Sequence, residues 1–190
     1  ARHGLAGLEG GAGSGGSHFG ITVIGGRVGL DLTGAQPAPT VGGITLIGQT
    51  EVSLRYSGAN TLCIVGADIR PAEGAMAIQG GHKDQDSPFT GHICVIDSRI
   101  EFETLSERTP AIETCKCLYI ENSYFRNASV AVSFKGQELL RSGGNWLHVR
   151  EFAKGADTLS NPKLNLMEYF FPIYVNGESI EILNNVDESE

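Results

Sequence analysis

The chain has 190 residues, a formal charge of −8, 26 glycines, and 41% hydrophobic but only 7% aromatic residues, a composition that suits one domain of short strands and turns. With 14 Lys plus Arg against 22 Asp plus Glu, it lacks the concentrated basic surface that phosphate recognition needs, so nucleic acid is set aside as a partner. No apolar run approaches the roughly 20 residues of a membrane-crossing helix, so no membrane partner is expected; the sequence begins at Ala1 without a charged-then-apolar leader, which leaves export undecided.

Residues 1–16 form a Gly-rich lead-in that ends in "GLEGGAGSGG". From residue 17 to 135 the chain repeats. The segments "ITVIGGRV", "ITLIGQTE", "LCIVGADI", "ICVIDSRI" and "LYIENSYF" align on Val23, Leu46, Ile64, Val95 and Ile120, with separations of 23, 18, 31 and 25 residues. That spacing is what a solenoid with variable loops produces. Two places before each anchor stands another aliphatic residue. Two places after it come Gly25, Gly48, Gly66, Asp97 and Asn122, the residue types that accept a left-handed backbone with least strain, so each strand is expected to bend there. The segment at Leu46 departs from the pattern with Glu51 five places on, where Val28, Ile69, Ile100 and Phe125 are apolar; its corner is expected to be shifted by one residue. A further strand follows each unit: "VGLDL" at 28–32, "VSLRY" at 52–56, "AMAI" at 75–78, "AIET" at 111–114 and "VAVSF" at 130–134.

Three short strands per coil, stacked on like neighbours, bury their inward side chains in a continuous core. The expected fold is therefore all-β, a parallel β-helix of about five recognisable coils followed by a less regular C-terminal segment. An antiparallel sandwich also has short strands and frequent turns, but it gives no reason to repeat the bend residue at one place in five units. "LYIENSYF" and its stacked relatives resemble the right-handed parallel β-helices of the pectate-lyase-like superfamily, over about residues 17–135. That resemblance implies a secreted or cell-surface protein acting on polysaccharide. It does not choose a reaction, since the superfamily includes lyases, hydrolases, esterases, tailspikes and adhesins.

Stacking converts sequence offsets into files of side chains. One outward file is expected to hold Arg70, Glu101 and Arg126, with Asp68 beside Arg99, as a charged groove or a ladder of surface ion pairs. Cys63 and Cys94 share a file and fall within disulfide range. Cys115 and Cys117 are read as alternating along one strand, too awkwardly for a bridge and giving only half a metal site.

Three long loops interrupt the coils. The first, 33–43, is apolar and Pro-rich and is expected to pack; the third is 102–110. The second, "QGGHKDQDSPFTG" at 79–91, carries His82, Lys83, Asp84 and Asp86, with His92 at the next strand's start. It follows the strand set whose outward residues are read as Asp31, Arg55, Ala77 and Glu113. The resemblance implies a cleft along that face. Elimination next to a uronate carboxylate needs a base and a cation to neutralise the carboxylate; Lys83, His82 and Arg55 could fill these roles, with Asp84 and Asp86 as candidate Ca²⁺ ligands. Hydrolysis would need two carboxylates, drawn from Asp31, Asp84, Asp86 and Glu113. A merely solvated loop has the same composition.

After Phe134 the repeat stops. "GGNWLHVREFAKG" at 143–155 holds the only Trp, with His148, Arg150 and Glu151 on a strand; Trp146 either stacks on a sugar or closes the core, and His148 accompanies it in binding. "FPIYVNGESIEIL" has Asn176-Gly177 between alternating apolar residues, a hairpin signal. The acidic "NNVDESE" ends the chain. Neither end of the stack looks covered, so contacts with further coils, another domain or another copy are expected there. The function expected is polysaccharide binding with cleavage, elimination ahead of hydrolysis; a non-catalytic structural or carbohydrate-binding solenoid is the alternative.

Overall fold

The computed structural model describes residues 5–13, 16–35, 37–58, 60–81, 91–141 and 146–154, and the backbone of 173–175 and 178–180. The strands come in threes, one triplet per coil. The first coil is β1 (Ala6–Glu9), β2 (Ser17–Phe19) and β3 (Thr22–Ile24); the second is β4 (Val28–Leu32), β5 (Thr40–Gly42) and β6 (Thr45–Ile47). The third is β7 (Val52–Tyr56), β8 (Thr61–Val65) and β9 (Asp68–Arg70), and the fourth β10 (Met76–Gly80), β11 (His92–Ile96) and β12 (Arg99–Ser106). In the fifth, β13 (Ile112–Thr114) leads into β14 (Leu118–Ala128), which runs through both remaining stations, and β15 (Val130–Phe134) starts one further turn.

The strands pair in parallel, coil on coil. One seven-stranded sheet has the order β1-β4-β7-β10-β13-β15 and ends on β16 (Gln137–Arg141). The other, twelve-stranded, runs β2-β5-β8-β11-β14 on one side and β3-β6-β9-β12-β14 on the other. The parallel β-solenoid expected from the repeat is thus the fold found. Its core is a set of vertical files: Leu30, Leu54, Ile78, Ile112 and Val132 in the first sheet, and Val41, Ile64, Val95 and Ile120 in the second. All nine are at most 1% exposed, which at roughly 25 cal/mol per Å² of apolar area makes this column the main stabilising term.

The register corrects the alignment in its first two coils. Val23 pairs with Leu46, and Leu46 with Ile69, not with Ile64; Ile69 continues to Ile100 and Phe125. Val41 is the residue beside Ile64. The reason is that each coil has two aliphatic stations five residues apart, and both can be followed by a glycine, so the pattern matches itself when slipped by one station. The Glu51 departure disappears with the slip. The corner between stations falls at Gly20, Gly43, Gly66, Asp97 and Asn122, all left-handed with φ from 42° to 65°. The first four donate their N–H to the next coil's carbonyl, from Gly20 to Gly42 and on to Asp97 with Glu121, at 2.9–3.1 Å.

Inside that corner a buried hydroxyl ladder completes the backbone bonding. Ser98 Oγ accepts from Ala67 N and Ser123 Oγ from Ser98 N, each at 3.1 Å, while both hydroxyls donate back to the carbonyl two residues earlier. The serine three places after the anchor in the last two coils thus serves the backbone, while the same place holds Ala67 in the third coil and Ile44 in the second. The loop 33–43 packs as expected, with Ala35 and Val41 in the core. The loop read at 102–110 is partly strand, since β12 continues to Ser106 opposite Ala128 and Phe102 is buried.

The C-terminal end is built differently. β16 returns antiparallel on β15, and β17 (Leu147–Lys154) lies antiparallel on β14 from Leu118 to Phe125, putting Phe152 beside Ile120 and Val149 beside Ser123. Both apolar residues are fully buried. The last coil is thus met by strands of the same chain where an uncovered end was expected. β18 (Ile173–Val175) and β19 (Glu178–Ile180) form the expected hairpin against β17; its Asn176-Gly177 turn lies outside the described residues. No helix among the described residues is long and apolar enough to cross a membrane.

Candidate functional site

Two outward faces carry the polar groups. On the first sheet, Asp31, Arg55, Gln79, Glu113 and Ser133 stand in one register file. Gln79 takes the place read for Ala77, which is fully buried. Ala77 belongs with Gly29, Ser53, Ala111 and Ala131, a buried set where space is short: a Cβ on Gly29 would come within 2.4 Å of Ser53 O. Arg55 Nε donates to Gln79 Oε1 at 3.0 Å and its Nη1 reaches Asp31 Oδ2 at 3.4 Å. Asp31 Oδ1 accepts from Thr33 N, and Glu113 Oε1 from Gly136 N. Arg55 is therefore held in line along the file by its neighbours above and below.

Asp31 and Glu113 do not meet. Three coil spacings of about 4.8 Å put them roughly 14 Å apart, beyond the 6.5–9.5 Å or so that paired carboxylates span in glycoside hydrolysis. His82, Lys83, Asp84 and Asp86 lie outside the described residues. The insertion that bears them is rooted beside this file: Gly81 follows β10 and donates to Tyr56 O, Gly91 donates to Gly58 O, both at 2.8 Å, and a Cβ on Gly91 would strike Gly81 Cα at 2.5 Å. Segment 82–90 leaves and returns through two touching glycines, each left-handed. Among the described residues no cluster of three or more His, Cys, Asp or Glu could hold a metal.

The second face is at the C-terminal end of the other sheet. Arg99 pairs in register with Tyr124, and Tyr124 with His148 across the antiparallel junction. The Tyr124 and His148 rings stack with centroids 4.3 Å apart and planes 3° from parallel. Trp146 meets Tyr124 edge-on at 6.4 Å, and the Arg99 guanidinium lies 4.2 Å from the Trp146 centroid, with Arg126 at 5.4 Å. Glu101 fixes both cations, accepting from Arg99 at 3.0 Å and from Arg126 at 2.7 Å. The expected charge file is real: Arg70 bonds Asp68, and Asp68 stands beside Arg99. Counted together, Arg99 and Arg126 are matched by Glu101 and Asp97, and Arg70 by Asp68, so this face alternates in charge with no surplus of either sign.

Trp146 does not close the core. It is 42% exposed and Tyr124 40%, unusual for rings held by so many neighbours. His148 is oriented by a short relay: Asn122 Nδ2 donates to Asp97 Oδ1 at 2.7 Å, which turns Asn122 Oδ1 toward His148 Nε2 at 2.9 Å. Asn122 thus serves both as the left-handed corner and as this link. On the other side of the corner Glu121 faces Glu151 across the strands and accepts from the Tyr119 hydroxyl at 3.1 Å. Burial first, then that hydrogen bond and the two carboxylates, raise the Tyr119 pKa.

Of the residues expected in a site, the structure brings Asp31 to Arg55 and Trp146 to the neighbourhood of His148. It leaves Glu113 two coils from Arg55. Sequence reasoning missed Asp97, Arg99, Asn122, Tyr124 and Arg126 as companions of Trp146. The outward file was legible, but the antiparallel return of β17 that carries Trp146 onto it has no repeat signature. No family model, curated protein or solved structure matches the chain.

Proposed function

We propose that this solenoid, built on the plan of the pectate-lyase-like superfamily, is a polysaccharide-binding protein whose sugar platform is the outward face around Trp146. The observation that carries the reading is an exposed indole and an exposed phenol held rigid on a strand scaffold, Trp146 by Arg99 and Tyr124, Tyr124 by His148. Sugars present apolar C–H faces that pack on such rings, and pre-ordered side chains lose little entropy on binding. Arg99 and Arg126 beside the indole offer guanidinium N–H groups from which a uronate carboxylate can accept, which favours an acidic chain, a uronate polymer, over a neutral one. The coil repeat of about 4.8 Å gives an extended glycan a regular surface to follow. Extracellular glycan would place the protein outside the cell or on its surface.

Cleavage by elimination is a second reading and rests on Arg55. Its guanidinium is fixed by Asp31 and Gln79 next to the root of the insertion that carries His82 and Lys83. In such a step a base removes the proton on the carbon next to the uronate carboxylate, the cation steadies the resulting negative charge, and the glycosidic oxygen leaves from the adjacent carbon. Lys83 or His82 would be the base, with Asp84 and Asp86 holding Ca²⁺ if the metal takes part. Hydrolysis through Asp31 and Glu113 is disfavoured by their separation.

Calorimetric titration with polygalacturonate and with a neutral glucan tests the binding reading. Saturable binding to the acidic polymer that Trp146→Ala abolishes supports it, and equal binding by the variant sinks it. Ultraviolet absorbance of unsaturated uronate, followed on the same mixtures, tests elimination separately.

A further inference from the structure

Cys63 and Cys94 face each other across one coil spacing. β8 and β11 run in parallel with Cys94 directly opposite Cys63, next to the buried pair Ile64–Val95. The same outward file continues to Thr40 on one side and Tyr119 on the other. Both thiols are partly exposed and reduced, so a small oxidant can reach them. The Cys94 thiol is pushed up to about 11, first by burial, then by the charge of Cys63 and a hydrogen bond with it, and last by Glu121.

The other two cysteines are placed differently. Cys115 and Cys117 do not alternate along one strand as expected; they lie between the end of β13 at Thr114 and the start of β14 at Leu118. Cys115 N bonds Gly80 O, and Cys117 N bonds His92 Nδ1. Neither shares a strand register with another cysteine.

We propose that Cys63 and Cys94 are a reversible disulfide site that staples the third coil to the fourth. A parallel register sets their Cα atoms about 4.8 Å apart, inside the 4.4–6.8 Å or so that a disulfide spans. In such a pair the two Cα–Cβ bonds point the same way, so the Cβ atoms are also about 4.8 Å apart, wider than the usual 3.8 Å or so. Closing the bond draws the strands together locally, and a bond under that strain is more easily reduced than a relaxed one. The site is therefore suited to opening and closing, and its crosslink ties Cys63 to the strand that follows the 82–90 insertion.

The oxidant is a low-molecular-weight disulfide such as oxidised glutathione. The Cys63 thiolate attacks one glutathione sulfur, forming a mixed disulfide and expelling glutathione thiolate. Cys94 then loses its proton and attacks the Cys63 sulfur, and the second glutathione leaves as thiol. The protein is oxidised by two electrons and one glutathione disulfide is reduced to two thiols.

Whole protein would be incubated with oxidised glutathione at about pH 8, where thiol exchange proceeds. Thiols would be counted in denaturant and proteolytic fragments weighed. The expected result is a fall from four thiols to two, a mass lower by two hydrogens, and a crosslinked fragment containing Cys63 and Cys94. Excess reduced glutathione should then restore all four. Cys94→Ser should stop at the first step and keep one glutathione on Cys63. A crosslink through Cys115 or Cys117, glutathione retained on the unmodified sequence, or a Cys63–Cys94 bond that resists excess reduced glutathione would each overturn the proposal.

Discussion

The file of Asp31, Arg55, Gln79 and Glu113 spans the second to fifth coils and the platform around Trp146 stands on the fourth and fifth, yet they use charge in opposite ways. Along the first, each side chain comes from an equivalent place on a successive coil, and Arg55 is engaged by its neighbours within the line. In the second, Arg99 and Glu101 share β12 and Arg126 comes from the next coil, but β17 enters antiparallel and brings Trp146 and His148 from outside the repeat. The repeat produces the regular scaffold and satisfies itself. Where a non-repeating strand joins, side chains acquire neighbours that no coil could supply, and exposed rings become fixed.

The largest effect expected is on the scaffold that holds the platform. Ile120 is fully buried, with Val95 on one side and Phe152 of β17 on the other. Ile120→Ala removes the contact that seats β17 and should cost about 2–5 kcal/mol, read as a lower urea midpoint with little change in slope. If the loss is under about 1 kcal/mol, β17 does not depend on the core file.

The sharpest separation of the two faces is in ligand binding. Trp146→Ala should weaken polygalacturonate binding at least tenfold, or about 1.4 kcal/mol. Arg55→Ala should leave affinity within about twofold while removing any elimination. Reversed outcomes in the same titration would move the glycan onto the Arg55 file.

Next in size is the corner. Asn122 has φ 42°, where alanine is strained by about 1–2 kcal/mol and glycine is not. Asn122→Ala should therefore lower thermal stability more than Asn122→Gly. Both break the Asp97–Asn122–His148 relay, so both should weaken binding to a similar extent. If glycine keeps full affinity, the relay plays no part in orienting the platform.

How far the sequence reveals this molecule differs between the same two regions. Solenoid class, the outward pairing of Asp68 with Arg99, the neighbouring cysteines and the Asp31–Arg55 contact all follow from period and offset, because stacking maps sequence distance onto space. Val23 and Leu46 are neighbours as expected, but the repeat aligns them one station off from Ile64 because Gly25 and Gly48 imitate the corner glycines Gly43 and Gly66. Simple alternation puts Ala77 in the outward file where Gln79 stands, because it does not foresee that Gly29, Ser53 and Ala77 turn inward beside the core. The platform was legible only in halves. Nothing in "LHVREF" states that it lies antiparallel on "LYIENSYF", since that pairing is made by burying Val149 and Phe152 and has no periodic counterpart.

Alkaline titration separates the coil interior from the platform. Burial pushes Tyr56 up from 10.0 to about 12, and Cys94 rises from 9.0 to about 11. Each group is harder to deprotonate in the folded chain than in the unfolded one, so the unfolded state loses protons first. Stability is thus intact below about pH 9 and falls as pH rises through the folded values, by chemical denaturation at stepped pH. Cys94→Ser should remove the earlier part of the decline and leave the part due to Tyr56. An unchanged profile would mean that the Cys94 thiol ionises alike in both states.

The smallest effect is expected where the platform's charge file lacks an aromatic partner. Arg70 occupies the same file as Arg126, but it forms the exposed pair with Asp68 at 2.6 Å, and such pairs contribute at most about 1 kcal/mol. Arg126 bonds Glu101 and also lies over Trp146, which adds roughly 0.5–1 kcal/mol at an exposed ring. Arg70→Ala should therefore change thermal stability and glycan affinity only slightly, and Arg126→Ala should lower both. Equal losses from the two variants would show that the ion-pair ladder, and not its junction with β17, is what the ligand meets.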